Sequence, residues 1–92
     1  MTTTVANDPA SGRYIAYVDG EPAGFAEYAH EGDVVTFTHT VVEDAFEGQG
    51  VGGVLARHAL DDVRGRGQRV VARCPFIAGW IERNPDYADL LV

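Results

Sequence analysis

From Arg13 to Val18 the chain alternates as an extended strand, with Ile15 and Tyr17 on one face and Tyr14, Ala16 and Val18 on the other. Asp19-Gly20 follows as a two-residue hairpin signal. Pro22 comes just after it, where the start of a strand tolerates a missing N–H. Residues 23–29 run back antiparallel, Glu31-Gly32-Asp33 makes the next turn, and residues 34–42 form the longest stretch dense in β-branched side chains. Three such segments joined by tight turns predict an antiparallel meander.

The rhythm then changes. Val51, Val54, Leu55, Ala59 and Val63 recur at helical spacing, with Asp62 and Arg66 four apart in the favourable acid-first order. Gly65 and Gly67 mark the end of that helix. Residues 69–74 alternate as a fourth strand, with Val70, Ala72 and Cys74 facing one way. Pro75 stops it and suits a helical first turn, after which Phe76, Ile77, Trp80 and Ile81 make a core stripe. Asn84-Pro85 breaks the second helix, leaving a short helical tail. Residues 1–12 are rich in turn formers and read as a loose leader, with one domain over 13–92. The predicted class is α+β on a mostly antiparallel sheet, in the order β-β-β-loop-α-β-α.

Composition narrows the functional classes. The chain has 92 residues, 46% hydrophobic and 23% charged, with a net charge of −7, which is globular composition for one small domain. No apolar run is long enough to span a bilayer, and residues 1–5 lack the basic-then-apolar pattern of a signal peptide, so a cytoplasmic protein without membrane contact is expected. One cysteine allows no internal disulfide, and His30, His39 and His58 lack metal-site spacing, so no metal is expected. The charge repels nucleic acid. It is also lopsided: residues 1–47 carry nine acids and one base, Arg13, while residues 48–92 carry five acids and six arginines. The acidic half either keeps the domain soluble or draws in a cationic amine. The C-terminal half is the one that can receive an anion.

The glycine-rich loop carries the chemistry. Gly48, Gly50, Gly52 and Gly53 cluster between the end of a strand at Val42 and the start of a helix. Glycine lets a backbone turn tightly and approach a ligand, and the first N–H groups of a helix are unpaired at its positive end. Together they suit a phosphate or diphosphate. The loop lacks the Gly-Lys-Ser/Thr of a Walker loop. Gly48 through Gly53 satisfies G-x-G-x-x-G, but it follows hairpin-linked strands, and residues 70–74 offer no acid where a dinucleotide fold needs one.

Glu47-Gly48-Gln49-Gly50-Val51-Gly52 resembles motif A of the GNAT superfamily of N-acetyltransferases, Arg/Gln-x-x-Gly-x-Gly/Ala, in its place between strand and helix. With His39-Thr40, Cys74-Pro75-Phe76 and Asn84-Pro85-Asp86-Tyr87, the chain resembles the short stand-alone branch of that superfamily over roughly residues 13–92. Glu47 departs from the motif by placing an acid near the diphosphate, and the helical pair that usually follows the first strand is missing.

The resemblance implies a minimal acyl-CoA N-acyltransferase fold and acetyl-CoA as donor to an unidentified amine, either small or on a protein. Gly48, Gln49, Gly50, Val51, Gly52 and Gly53 would hold the diphosphate through their amides. Thr40, Val41 and Val42 would pair with the pantetheine arm and offer an N–H to the thioester oxygen. Arg57 and Arg83 are candidates for the ribose phosphate. The resemblance also places a reactive cysteine at Cys74, which stands at the start of a helix whose dipole favours a thiolate. Its possible roles are acetyl acceptor, acid for the leaving thiolate, cofactor contact or buried filler. His39, placed by alternation on the face of Val35, Phe37 and Val41, is the candidate base, with Glu43 second. Tyr87 is either an acid for the thiolate or a packing residue. The function implied is acetyl transfer, directly or through Cys74. The alternatives are a non-catalytic acyl-CoA sensor or a plain interaction domain, and monomer and homodimer stay equally open.

Overall fold

The computed structural model describes residues 2–92. Five strands lie in sequence order in one sheet: β1 (Thr3–Asp8), β2 (Arg13–Val18), β3 (Glu21–Glu31), β4 (Val34–Val42) and β5 (Arg69–Ala72). The first four are antiparallel, and β5 runs parallel to the first half of β4 after a crossover through helix α1 (Val51–Gly65). Helix α2 (Pro75–Arg83) follows β5, then a 3₁₀ segment (Pro85–Leu90), after which Leu91 bridges Val70 of β5. The expected α+β class on a mostly antiparallel sheet is what forms.

The expected loose leader is instead largely strand. Residues 3–8 pair with β2 from Thr3↔Val18 to Asp8↔Arg13, and the turn formers occupy only residues 9–12. Thr3, Thr4 and Val5 are β-branched, and Val5 packs on the core. Asp19 and Gly20 both take positive φ, +50° and +87°, as the predicted two-residue hairpin requires.

Both helices cover one face of the sheet. Tyr14, Ala16, Val35 and Phe37 meet Leu55, Ala59, Leu60 and Val63 of α1 in a single buried cluster. The expected α1 stripe is right except at Val54, which is 41% exposed, while Ala56 and Leu60 are buried. Gly67 ends α1 at φ +70°, with Gln68 N donating to Val63 O at 3.0 Å and Gly67 N to Arg64 O at 3.0 Å. These paired bonds satisfy the last carbonyls. In α2, Ile77, Trp80 and Ile81 are buried as expected, but Phe76 stands 37% exposed beside the glycine loop.

A bulge in β4 decides which side chains face the site. Glu27 pairs with His39 and Tyr28 with Phe37, which leaves Thr38 as an extra residue. Before it, Val35 and Phe37 face the helices; after it, Thr40 and Val42 do, and His39 and Val41 turn to the open face. The expected grouping of His39 and Val41 with Val35 and Phe37 therefore fails, because one inserted residue inverts the alternation.

Candidate functional site

Pairing between β4 and β5 runs only from Val34↔Arg69 to Phe37↔Ala72. There Phe37 O accepts from both Arg73 N (3.1 Å) and Cys74 N (2.9 Å), and β5 gives way to α2. Among the described residues, 38–42 continue without a paired strand on that side, so the sheet forks. Glu43 N donates to Ala23 O at 2.8 Å, toward β3. By alternation Val41 and His39 do the same, and the N–H and C=O of Thr40 and Val42 turn into the fork. An extended chain laid there would find the backbone of a missing strand.

The glycine loop closes one end of the fork. After a 3₁₀ turn at Asp44–Phe46, Gly48 and Gly50 take φ +79° and +77°, conformations that burden any residue with a Cβ. Gly50 caps α1 with no side chain, and the first bond of its ladder is Val54 N to Gly50 O at 3.2 Å. The amides of Val51, Gly52 and Gly53 thus leave the helix start without a protein acceptor among the described residues. They border a cavity of about 420 Å³ with Val42, Phe46 and Phe76. A Cβ at Gly52 would lie 2.8 Å from Phe76 Cζ, so the close approach of ring and backbone needs glycine there. Gln49 turns its side chain back to Ala45 O at 3.5 Å, leaving only its backbone for a ligand, and Glu47 lines the cavity as an exposed acid.

Cys74 sits at the mouth of the fork as the residue that starts α2, 3% exposed, with Sγ 3.2 Å from Thr40 Oγ1. Sequence reasoning gave Thr40 a backbone role only; its hydroxyl reaches the sulfur because the bulge turns Thr40 toward the helices. His39 lies on the other face of the sheet. Its side chain is 71% exposed, with Nδ1 3.3 Å from Glu27 Oε1 and 3.2 Å from Thr38 Oγ1. The structure therefore joins Cys74 with Thr40, sets Phe76 of the same helix against the loop, and places His39 across the sheet plane from Thr40. Glu43 is exposed just beyond β4.

Tyr87 is not part of this cluster. Its hydroxyl donates to Asp61 Oδ1 at 2.7 Å and accepts from Arg57 Nη1 at 3.2 Å, and that bond to Asp61, with burial, raises its pKa. This is the packing role. Arg57 lines a second cavity that begins at Gly50 and Gly53; Arg83 lines neither cavity. Phe76, read from sequence as core, is a wall of the site. Among the described residues no helix is long and apolar enough to cross a membrane.

Comparisons with known proteins agree on the fold. Residues 13–90 match the model of a family described as GCN5-related N-acetyl-transferase. A comparison with curated proteins found no match. Among solved structures, a Staphylococcus aureus protein described as GCN5-like is similar over 97% of this chain and 87% of its own, at TM-score 0.73 and 20% identity. The ribosomal-protein-S18-alanine N-acetyltransferase of Escherichia coli is similar over 65% of this chain and 39% of its own, at TM-score 0.61 and 24% identity. The ribosomal-protein-alanine N-acetyltransferase of Brucella melitensis biovar Abortus is similar over 87% and 60%, at TM-score 0.57 and 20% identity. This chain spans well under half of the Escherichia coli protein's length.

Proposed function

Because the chain belongs to the GCN5-related N-acetyl-transferase family, we propose that it takes acetyl from acetyl-CoA and passes it to an amine at the fork between β4 and β5. The observation that carries this reading is the union of an unpaired strand edge with uncapped helix amides at one end of the same groove. The cradle fits the donor: Gly48 and Gly50 hold left-handed backbone, and a Cβ at Gly52 would fill the space beside Phe76. Acetyl-CoA supplies an activated acyl group as a thioester.

The chain's own groups divide the remaining work. Amides at Gly48, Gln49, Gly50, Val51, Gly52 and Gly53 receive the diphosphate, where positive dipole and unpaired donors coincide. Thr40 and Val42 offer strand hydrogen bonds to the pantetheine arm, with Val41 between them facing away from the helices. An N–H of that edge polarises the thioester oxygen. The helix side of the fork belongs to Thr40 and Cys74, so attack by Sγ comes from that side. The open side belongs to His39, whose Nδ1 is engaged by Glu27 and Thr38, leaving Nε2 to accept a proton from an incoming amine. In direct transfer, the amine nitrogen bonds the carbonyl carbon, the carbon–sulfur bond breaks, and the thiolate leaves to be protonated. Through Cys74, Sγ first bonds the carbonyl carbon while the carbon–sulfur bond of the donor breaks, the departing thiolate taking the proton given up by Sγ. The amine nitrogen then bonds the same carbon, the carbon–Sγ bond breaks, and Sγ regains a proton as the amine loses one.

Thermal unfolding with acetyl-CoA tests the reading first. At a hundred times Kd, binding to the native state alone adds about 2.7 kcal/mol of stability. An unmoved Tm at millimolar acetyl-CoA removes it. Intact mass then separates the routes: an acetyl adduct present in the parent and absent in Cys74→Ala supports the covalent path. Binding without turnover against any of a panel of amines would make the chain an acyl-CoA sensor instead.

A further inference from the structure

The face of the sheet turned away from the helices carries apolar side chains that the core does not use. Ala6, Ile15, Phe25 and Val41 stand side by side across β1, β2, β3 and β4, each paired in register with the next. None of them belongs to the buried cluster or packs against it, and Val41 is 42% exposed. With neighbouring strands about 4.8 Å apart, the strip runs about 14 Å and ends one residue from the fork. Contiguous apolar surface, unlike single scattered residues, marks a contact site. The charges around it are one-sided. The adjoining row is Asp8, Arg13, Glu27 and His39. Arg13, the only base in residues 1–47, is spent there: Nη2 lies 3.5 Å from Glu27 Oε2, and the guanidinium carbon sits 4.1 Å from the centre of the Phe25 ring. At the fork end Glu43, Asp44 and Glu47 are exposed, and none of the three has an ion-pair partner among the described residues.

We infer that this strip docks an extended segment of a basic polypeptide, and that this polypeptide is the acceptor. An apolar side chain of the segment lies on Ile15, Phe25 and Val41, and its cationic neighbours face the acids at the fork. The amine then arrives on the side where His39 stands, so the inference names the acceptor class for the proposed transfer and rests on that reading. Charge and length choose the occupant. A second copy of this chain would bring the same acids to the contact, and like charges across an interface cost affinity. A cationic partner is drawn in instead. A small amine would cover only part of the strip, whereas about 14 Å takes about four residues of extended chain.

The probe is a peptide of about ten residues, lysines and glycines around two leucines, with a free amino terminus and a fluorescent label at the other end. One analogue carries serine for leucine, another glutamate for lysine. Anisotropy at about 0.1 M salt is expected to show the parent holding the leucine peptide about tenfold tighter than the serine analogue, with the glutamate analogue unbound. Ile15→Thr keeps a β-branched residue in the strand, two strands from β4, and is expected to erase the leucine preference. A preference that survives in Ile15→Thr, or binding of the glutamate analogue, overturns the inference. So does a dimer of the parent that Ile15→Thr abolishes. The donor is read separately, by the thermal shift with acetyl-CoA. A shift with no peptide binding overturns the dock and leaves the donor in place. Peptide binding with no shift keeps the dock and removes the acceptor role together with the proposed donor. Where both bind, acetyl transfer to the leucine peptide is expected at about tenfold higher kcat/KM than to the serine analogue, and equal values overturn the acceptor role.

Discussion

At the scale of single residues, the site rests on the absence of one side chain and the orientation of another. Gly52 lets the Phe76 ring lie against the loop, and an added methyl would stand 2.8 Å from the ring tip. Phe76 is partly exposed, so its ring can swing rather than force the backbone apart. The ring then moves into the space where the amides meet their ligand. Gly52→Ala is therefore expected to cost no more than about 1 kcal/mol of stability, read by denaturant unfolding, yet to weaken acetyl-CoA about tenfold, read by titration. The opposite order of effects would make Gly52 a packing residue only. Thr40 poses the complementary case. Val has nearly its shape without its hydroxyl, so Thr40→Val should leave unfolding stability within about 1 kcal/mol of the parent while slowing formation of the Cys74 adduct about tenfold, followed by mass spectrometry. An adduct formed at the parent rate would show that Thr40 does not orient the sulfur.

At the scale of elements, the meander, the loop and the two helices were legible because each carries its own local signal. Asp19-Gly20 fixes a hairpin, Gly65 and Gly67 end a helix, and Pro75 starts one. What stayed hidden depends on pairing. Strand β1 lies in a segment whose turn formers outweigh Thr3, Thr4 and Val5 locally, and it forms because β2 offers an edge with Val18 and Ala16 opposite Thr3 and Val5. The bulge at Thr38 has no sequence signature, yet it brings Thr40 to Cys74 and sends His39 to the open face. Phe76 read as core because helical spacing counts apolar positions without knowing that the loop lies beside them. The start of α1 can be tested as a unit. Gly50 holds φ +77° at the head of the helix, so Gly50→Ala should destabilise the fold by about 1 kcal/mol and also reduce the thermal shift produced by acetyl-CoA. A shift as large as the parent's would mean that the amides do not need this turn.

At the scale of the whole molecule, α1 is tied down from both sides by phenol–carboxylate bonds at successive positions. Tyr14 of β2 donates to Asp62 Oδ2 at 2.7 Å, and Tyr87 of the C-terminal 3₁₀ segment donates to Asp61 Oδ1 at 2.7 Å. One bond holds the helix to the sheet, the other holds the tail to the helix. Arg64 reinforces the second with two bonds of 2.9 Å to Asp89. Burial first, then the hydrogen bond to Asp62, raises the Tyr14 pKa far above its ordinary value; the bond to Asp61 and burial raise that of Tyr87. A raised phenol pKa means that the folded chain keeps the proton more tightly than the unfolded one. The stabilisation is thus complete below the unfolded value of about 10 and is lost as pH climbs past it toward the folded value. Stability measured in urea should accordingly hold level from neutral pH to about 9 and decline above about 10. Tyr14→Phe is expected to cost about 1 kcal/mol at neutral pH and to flatten the alkaline decline, since the unfolded and folded chains then differ by one fewer titrating phenol. Tyr87→Phe should flatten it less, because that hydroxyl also accepts from Arg57, whose charge eases its ionisation. If the decline keeps its full slope in Tyr14→Phe, the Tyr14 phenol is not what the alkaline limb reports, and release of α1 from the sheet is not its cause.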